Sequence, residues 1–438
     1  MKAPTFLLLS LLAAAALAET VPDREGAVRK DRVAMEKGTR WIYNDVDAGF
    51  AEATRTGKPL LVVLRCVPCM GCMGIDQEVS AENPELAPLH EQFVCVRVIN
   101  ANALDLARFQ FDYDLSFSAL FFNGDGTVYG RYGSWKHQRD PQEKTIAGYR
   151  RALEGVLAIH RGYPANQAAL AGKQGLPIPF KTPVEIPALS LRYKVALDWE
   201  GKVVASCVHC HMIGDAIRTS YRDKGQSIPQ TWIFPQPPPE TIGLTLAPDQ
   251  ATRVEAVAPD SIAAKAGLRV GDEITSLGGA PLISIADVSW ALHRAPDVGE
   301  LDCKVQRNGL SQNLKFTLPA GWRMKADINR RVGTWGMRGM ALGGLRLEDL
   351  ADAERTSRGL SHDDLALVAA IVGKFGKHAA AGKAGFQKND VIVEIDGAKT
   401  RLSEGELIGR LITKNPGEQV KATVLRGKER VELTLPIQ

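Results

Sequence analysis

The sequence predicts a multidomain chain, α/β in its first part and α+β in its last. Three observations lead to that class. The chain has 438 residues, more than one ordinary domain of about 100–200 residues. Residues 41–162 alternate apolar strand-like runs with helical patterns, the order from which an α/β sheet is built. Ala263–Leu282 aligns without gaps to Ala381–Thr400 at an offset of 118, with eight of twenty positions identical, which marks a duplicated module. Composition narrows the classes further. At 45% hydrophobic and 24% charged residues the chain is globular. Its 54 Lys+Arg against 50 Asp+Glu, net +4, lack the concentrated basic face of a nucleic-acid binder. Seven cysteines are too few for a disulfide scaffold, so cysteine chemistry must lie in local clusters.

Residues 1–18 read as an export signal, with Met1-Lys2, an apolar run from Phe6 to Leu17, and the small-x-small site Ala16-Leu17-Ala18. No later run reaches about 18 apolar residues, and no cysteine follows the cleavage site. The expectation is a soluble periplasmic protein with no integral membrane segment after cleavage. Residues 19–40 form an exposed, charged lead. In the α/β unit, 41–162, Asp45 caps a helix that Gly57 ends. Leu60–Leu64 is a buried strand, followed by a cysteine cluster, helical pattern to about His90, and the strand Phe93–Val98. A short helix is expected over Leu104–Phe109. Asn123-Gly124-Asp125-Gly126 between β-rich runs predicts a hairpin. A helix from about Gln142 to His160 closes the unit, whose core should be complete before Gly162. Residues 163–196 read as a linker and 197–237 as a second cysteine segment. The duplicated modules follow at 238–320 and 337–438, joined by a linker at 321–336. Asn389 stands where the first copy has Gly271, a turn position that asparagine tolerates.

Cys66-Val-Pro-Cys69-Met-Gly-Cys72 follows the Leu60–Leu64 strand directly. Thiols at a strand-to-helix junction feel the helix dipole, and their pKa values can fall to about 3.5–7.5. A second thiol three residues on can resolve a mixed disulfide. Two overlapping C-x-x-C pairs leave the choice of couple open. Here the chain resembles the thioredoxin superfamily, through Lys58-Pro59, the apolar strand and C-x-x-C eleven residues after the lysine. That resemblance implies Cys69 as the attacking thiol, Cys72 as the resolving one and Cys66 as an extra. The alternative register pairs Cys66 with Cys69. The family's cis-proline position falls on Phe117 in Leu115-Ser116-Phe117-Ser118, with no proline nearby. The departure leaves room for a metal at the Cys66/Cys69/Cys72 cluster, or for a stapled fold without turnover.

Cys207-Val-His-Cys210-His211 is the attachment signature for c-type haem. It implies one covalently attached haem c, thioether-bonded to Cys207 and Cys210, with His211 as the proximal iron ligand. A zinc site and a plain disulfide are the rival readings. No Met or His lies between Gly214 and Leu292, so an open iron is expected, or a sixth ligand from His90, His137, His160 or His293. Cys95 and Cys303 read as inert core thiols.

Each repeat resembles a PDZ domain of bacterial envelope proteases, through Thr241-Ile242-Gly243-Leu244 with Ala266-Gly267-Leu268, and Leu342-Gly343-Gly344-Leu345 with Ala384-Gly385-Phe386. The resemblance implies peptide binding by strand addition at Ile242, Gly243, Leu244, Leu342, Gly343 and Gly344, with periplasmic proteins or peptides as partners. G-x-S-x-G and HExxH are both absent. The expected architecture is therefore a thioredoxin-like domain, a short haem-c segment and two PDZ domains. The leading functional expectation is a thiol-disulfide oxidoreductase with electron transfer through haem to a redox partner. The alternative is a non-catalytic PDZ adaptor or envelope quality-control factor with structural or sensory cysteines.

Overall fold

The computed structural model describes residues 23–38, 40–65, 67, 83–115, 117–133 and 146–438. The export signal, Cys66, Cys69, Cys72 and His137 lie outside the described residues. The charged lead is a packed helix, α1 (Arg24–Lys37), capped by Asp23, whose Oδ1 accepts the Gly26 amide at 2.8 Å. Val28 is buried, and Asp31 pairs with Arg97 at 2.5 Å across the sheet edge. The lead is thus an integral part of the first unit.

Strand β1 (Trp41–Tyr43) leads to α2 (Val46–Thr56), which begins at the Asp45 cap and stops at Gly57, φ +67°. The strands β2 (Leu60–Arg65), β3 (Val94–Val98), β4 (Phe117–Phe122) and β5 (Val128–Tyr132) complete one sheet in the order β1-β3-β2-β4-β5. β1 and β2 run parallel to β3, while β4 and β5 are antiparallel. Every residue of β2 is buried, as a central strand covered on both faces requires. The hairpin forms as expected, with the Asn123 amide on Thr127 O at 2.8 Å. Over 104–109 there is no helix, because the Asp105 carboxylate accepts the Ala107 and Arg108 amides and fixes a turn.

Helix α3 (Ala147–Arg161) covers one face of the sheet with Tyr149, Leu153 and Val156. The other face is covered from far along the chain. Ile186, Leu189 and Tyr193, then Val208, and Ile213 and Ile217 of α4 (Cys210–Asp223), pack with Leu60, Val62 and Leu64. The core therefore does not close before Gly162, and 163–196 is not a free linker. α2 alone cannot cover the second face of the sheet, so the later chain supplies the rest.

In the first module, β6 (Leu244–Leu246) pairs with β7 (Val254–Val257), and β8 (Glu273–Leu277), β9 (Ala280–Pro281), β10 (Gly299–Arg307) and β11 (Leu310–Leu318) form a second sheet beside α5 (Ile285–Arg294). The second module follows α6 (Thr334–Leu342) with β12 (Leu345–Asp349), β13 (Leu367–Val372), β14 (Val391–Ile395), α7 (Glu404–Leu411), β15 (Gln419–Arg426) and β16 (Glu429–Pro436). The duplication extends to a buried ion pair. Asp272 meets Arg307 at 2.7 Å, and Asp390 meets Arg426 at 2.9 Å. Asn389 takes φ +73° where Gly271 takes +89°. The 321–336 segment is packed too, with Trp322, Arg323, Ile328 and Arg331 buried. Among the described residues no helix is long and apolar enough to cross a membrane.

Candidate functional site

The first module carries an open strand edge. The Ala258 amide donates to Gly243 O at 2.8 Å, and the Ala247 amide to Arg253 O at 2.9 Å. In an antiparallel ladder this bracketing turns the N–H and C=O of Leu244 and Leu246 away from β7. They face the α5 side. Gly243 sits at φ +77° where a side chain would overlap Ser261, so only glycine closes this turn. Its N–H donates to Glu240 O at 2.9 Å, and Ile242 beside it is buried.

The far wall of that groove belongs to the N-terminal unit. Phe111, Leu115, Ser118 and Tyr132 face Leu246, Ile285 and Ser289 across about 800 Å³ of atom-free space. Docking fixes the two walls. Asp287 accepts the Arg131 amide at 3.0 Å, the Ile283 amide at 3.1 Å and Lys173 Nζ at 2.6 Å. Ser284 Oγ donates to Arg131 O at 2.5 Å. The Arg131 guanidinium lies 3.7 Å from the Trp290 ring centroid; burial pulls its pKa down to about 9, against the pull of Asp287. Ile283 packs on Gly130, where an added Cβ would stand 2.5 Å from it. Ser118 and Arg131 line the space, and Ser118 Oγ and Arg131 Nη2 are buried without a hydrogen-bond partner. Leaving a buried polar atom unpaired costs about 1–3 kcal/mol, and such atoms call for a ligand or a water.

The second module differs at the same place. Glu404 Oε1 accepts the outward-facing Leu347 amide at 2.7 Å, and Arg338 holds the carboxylate at 2.6 Å. The Gly344 amide donates to Arg338 O at 3.0 Å, as does that of Gly343 at the end of α6. Ile328 lies against Gly405, and a side chain at Gly409 would overlap the Phe234 ring. Leu342, Gly343 and Gly344 thus adjoin a groove filled by the chain itself. Ile285 follows the helix-capping Ser284 in the first copy, as Glu404 follows Ser403 in the second.

Cys207 and Cys210 stand near the end of β2, lining one apolar crevice with Leu64, Val67 and His209. Cys207 Sγ is 3.5 Å from Ile99 O, and burial pushes its thiol up to about 11. His211 does not line this crevice. Its ring centroid lies 5.7 Å from that of His209, which does line it. The three expected sixth ligands among the described residues are engaged elsewhere. His90 meets Tyr149, His160 bridges Tyr129 and Gly57, and His293 accepts the Gln236 amide. Among the described residues no group of three or more His, Cys, Asp or Glu could hold a metal. Cys95 and Cys303 are buried and unpaired by disulfide. Sequence reading missed Ser118, Lys173, Asp287 and Glu404; the clue within reach was Ser284 with Asp287 three residues on, the pattern of a helix start.

Comparison with known proteins places these units. A thioredoxin-like family matches residues 41–124, and PDZ-domain families match 253–307 and 344–437. The periplasmic pH-dependent serine endoprotease DegQ of Escherichia coli (strain K12) is 26% identical over 182 residues, 42% of this chain and 35% of DegQ. A probable periplasmic serine endoprotease DegP-like of Pseudomonas putida (strain W619) is 30% identical over 145 residues, 33% of this chain and 29% of the relative. The chain thus spans about a third of the length of these curated relatives. Of solved structures, the HtrA-type protease AlgW with decapeptide aligns over 30% of this chain and 38% of its own, at 24% identity and TM-score 0.20.

Proposed function

We propose that this chain, which joins a thioredoxin-like domain to two PDZ domains, is a periplasmic quality-control factor that captures extended polypeptide through its first PDZ domain. The carrying observation is the β6 edge, where Leu244 and Leu246 turn their amides away from β7 and Leu246 lines the cavity beside Ile285. Strand addition on such an edge supplies backbone hydrogen bonds for affinity and pockets for side-chain selection. The two periplasmic endoprotease relatives support the compartment and the setting. Ile242, Gly243 and Leu244 would hold the end of the captured segment. A second reading rests on the thioredoxin-like match over 41–124: Cys69, with Cys72 or Cys66, exchanges disulfides with the captured chain.

Light scattering during refolding of reduced, denatured lysozyme tests the capture. The full chain at equimolar concentration should suppress scattering, and Ile285→Asp should abolish the effect. Equal suppression by Ile285→Asp would remove the groove from the function. With scrambled, disulfide-bonded lysozyme in place of the reduced form, Cys69 attacks a substrate disulfide and releases a substrate thiolate; failure of both Cys72→Ser and Cys66→Ser to trap that mixed disulfide would remove the exchange reading alone.

A further inference from the structure

The cavity beside β6 has two owners. One wall is the PDZ groove, formed by Leu246 on β6 and Ile285, Ala286 and Ser289 on or beside α5. The opposite wall is the thioredoxin-like sheet, with Phe111, Leu115 and Tyr132 as its apolar surface and Ser118 at the start of β4. A peptide on β6 would be enclosed on the side that a lone PDZ groove leaves to solvent.

We propose that the thioredoxin-like domain is the selectivity wall of this PDZ site: it receives an apolar side chain of a peptide paired to β6, and Ser118 Oγ hydrogen-bonds that peptide. The inference rests on the capture reading given above. Three observations specify the occupant. The outward N–H and C=O groups of Leu244 and Leu246 ask for an extended backbone rather than a folded surface. The facing walls ask for an apolar side chain. Glu240 and Asp327 on the rim disfavour an acidic one, since Asp112 is already paired with Arg331 and only Arg131 remains to balance them. Ser118 supplies the polar contact, being 3% exposed and unpaired. Asp287 and Lys173 hold the walls at fixed spacing, so the pocket is preorganised rather than assembled by the ligand.

Fluorescence anisotropy on the full chain tests this, with a fluorescein-labelled decapeptide of alternating serine and leucine ending in leucine. Wild type should bind. Ser118→Val and Leu115→Ala should each weaken binding by about tenfold, the effect of about 1.4 kcal/mol, while the urea midpoint shows the fold retained. Binding that is unchanged in both variants but lost in Ile285→Asp would leave the PDZ groove standing and overturn the selectivity wall. No binding by wild type would overturn both. Should Leu115→Ala fail to fold, amide exchange on wild type decides: the peptide should slow exchange in β4 and β5 as well as β6, and slowing confined to β6 overturns the proposal.

Discussion

Lys173 Nζ lies 2.6 Å from Asp287 Oδ2, and each side chain is 1% exposed. One residue comes from the segment after the thioredoxin-like domain, the other from the helix of the first PDZ domain. Burial pulls the Lys173 pKa down and Asp287 opposes that pull. Removing one partner of a buried pair strands the other charge, at about 3–5 kcal/mol. Asp287→Ala should therefore lower stability by that amount and separate the first PDZ domain from the sheet. Joint replacement, Lys173→Met with Asp287→Leu, should cost less than Asp287→Ala alone. Urea unfolding with limited proteolysis between the domains checks both.

The filled groove of the second PDZ domain makes its own prediction. Phe234 is 1% exposed against α7, and truncating a buried phenylalanine costs about 3–5 kcal/mol. Phe234→Ala should destabilise the C-terminal half by that much. Glu404→Ala, which strands the Leu347 amide and Arg338, should cost a similar amount. Neither should reduce peptide binding at β6. A parallel loss of peptide affinity would show that the two grooves act together.

Two histidines set an acid limit. Burial, with Arg40 adding, pulls His90 down to about 4, and burial with Arg323 and other arginines pulls His293 down to about 3. Both stay neutral in the fold where the unfolded chain binds a proton below about 6.5. Stability is thus full above pH of about 6.5 and falls as pH drops toward the folded values, by up to about 1.4 kcal/mol per pH unit for each histidine. Chemical denaturation at stepped pH should show this slope, and His90→Gln should reduce it.

Thiol reactivity should divide the cysteines. Burial pushes Cys95 and Cys303 up to about 12 and Cys207 up to about 11, and the thiolate is the nucleophile. Iodoacetamide at pH 7 should leave these three unlabelled in the native protein, as peptide mass mapping would show. Labelling at Cys207 would reveal a crevice that opens.

A haem stain decides the C-x-x-C-H motif. If Cys207 and Cys210 carry haem, denatured protein purified from a host competent in cytochrome c maturation should give a pyridine haemochrome. Its absence would remove the haem expectation.

Most elements that could be read locally were read correctly; the helix expected over 104–109 was not, because Asp105 fixes a turn there. Asp45 and Gly57 bracket α2, Asn123 and Gly126 close the hairpin, and the repeat located both PDZ domains. The other failures share one cause. The lead, the 163–196 segment and the 321–336 segment look polar and punctuated, yet Arg97, Lys173 and Arg331 are buried there or against them. Their partners Asp31, Asp287 and Asp112 lie 66, 114 and 219 residues away. No local pattern encodes such a pairing. The candidate site was half legible for the same reason: Ile242, Gly243 and Leu244 form a motif, whereas Ser118 and Leu115 join them only through domain docking.

The second face of the thioredoxin-like sheet is completed by Ile213 and Ile217, well over a hundred residues after β2 begins. During synthesis, or passage through a narrow pore N-terminus first, Leu60, Val62 and Leu64 would wait with one side bare until that later stretch arrives. Such waiting apolar surface is the kind that chaperones hold and that aggregates when unattended. The first PDZ domain's own strands begin at Leu244, only after that interval, so under the capture proposal the protein needs protection before it can protect another chain.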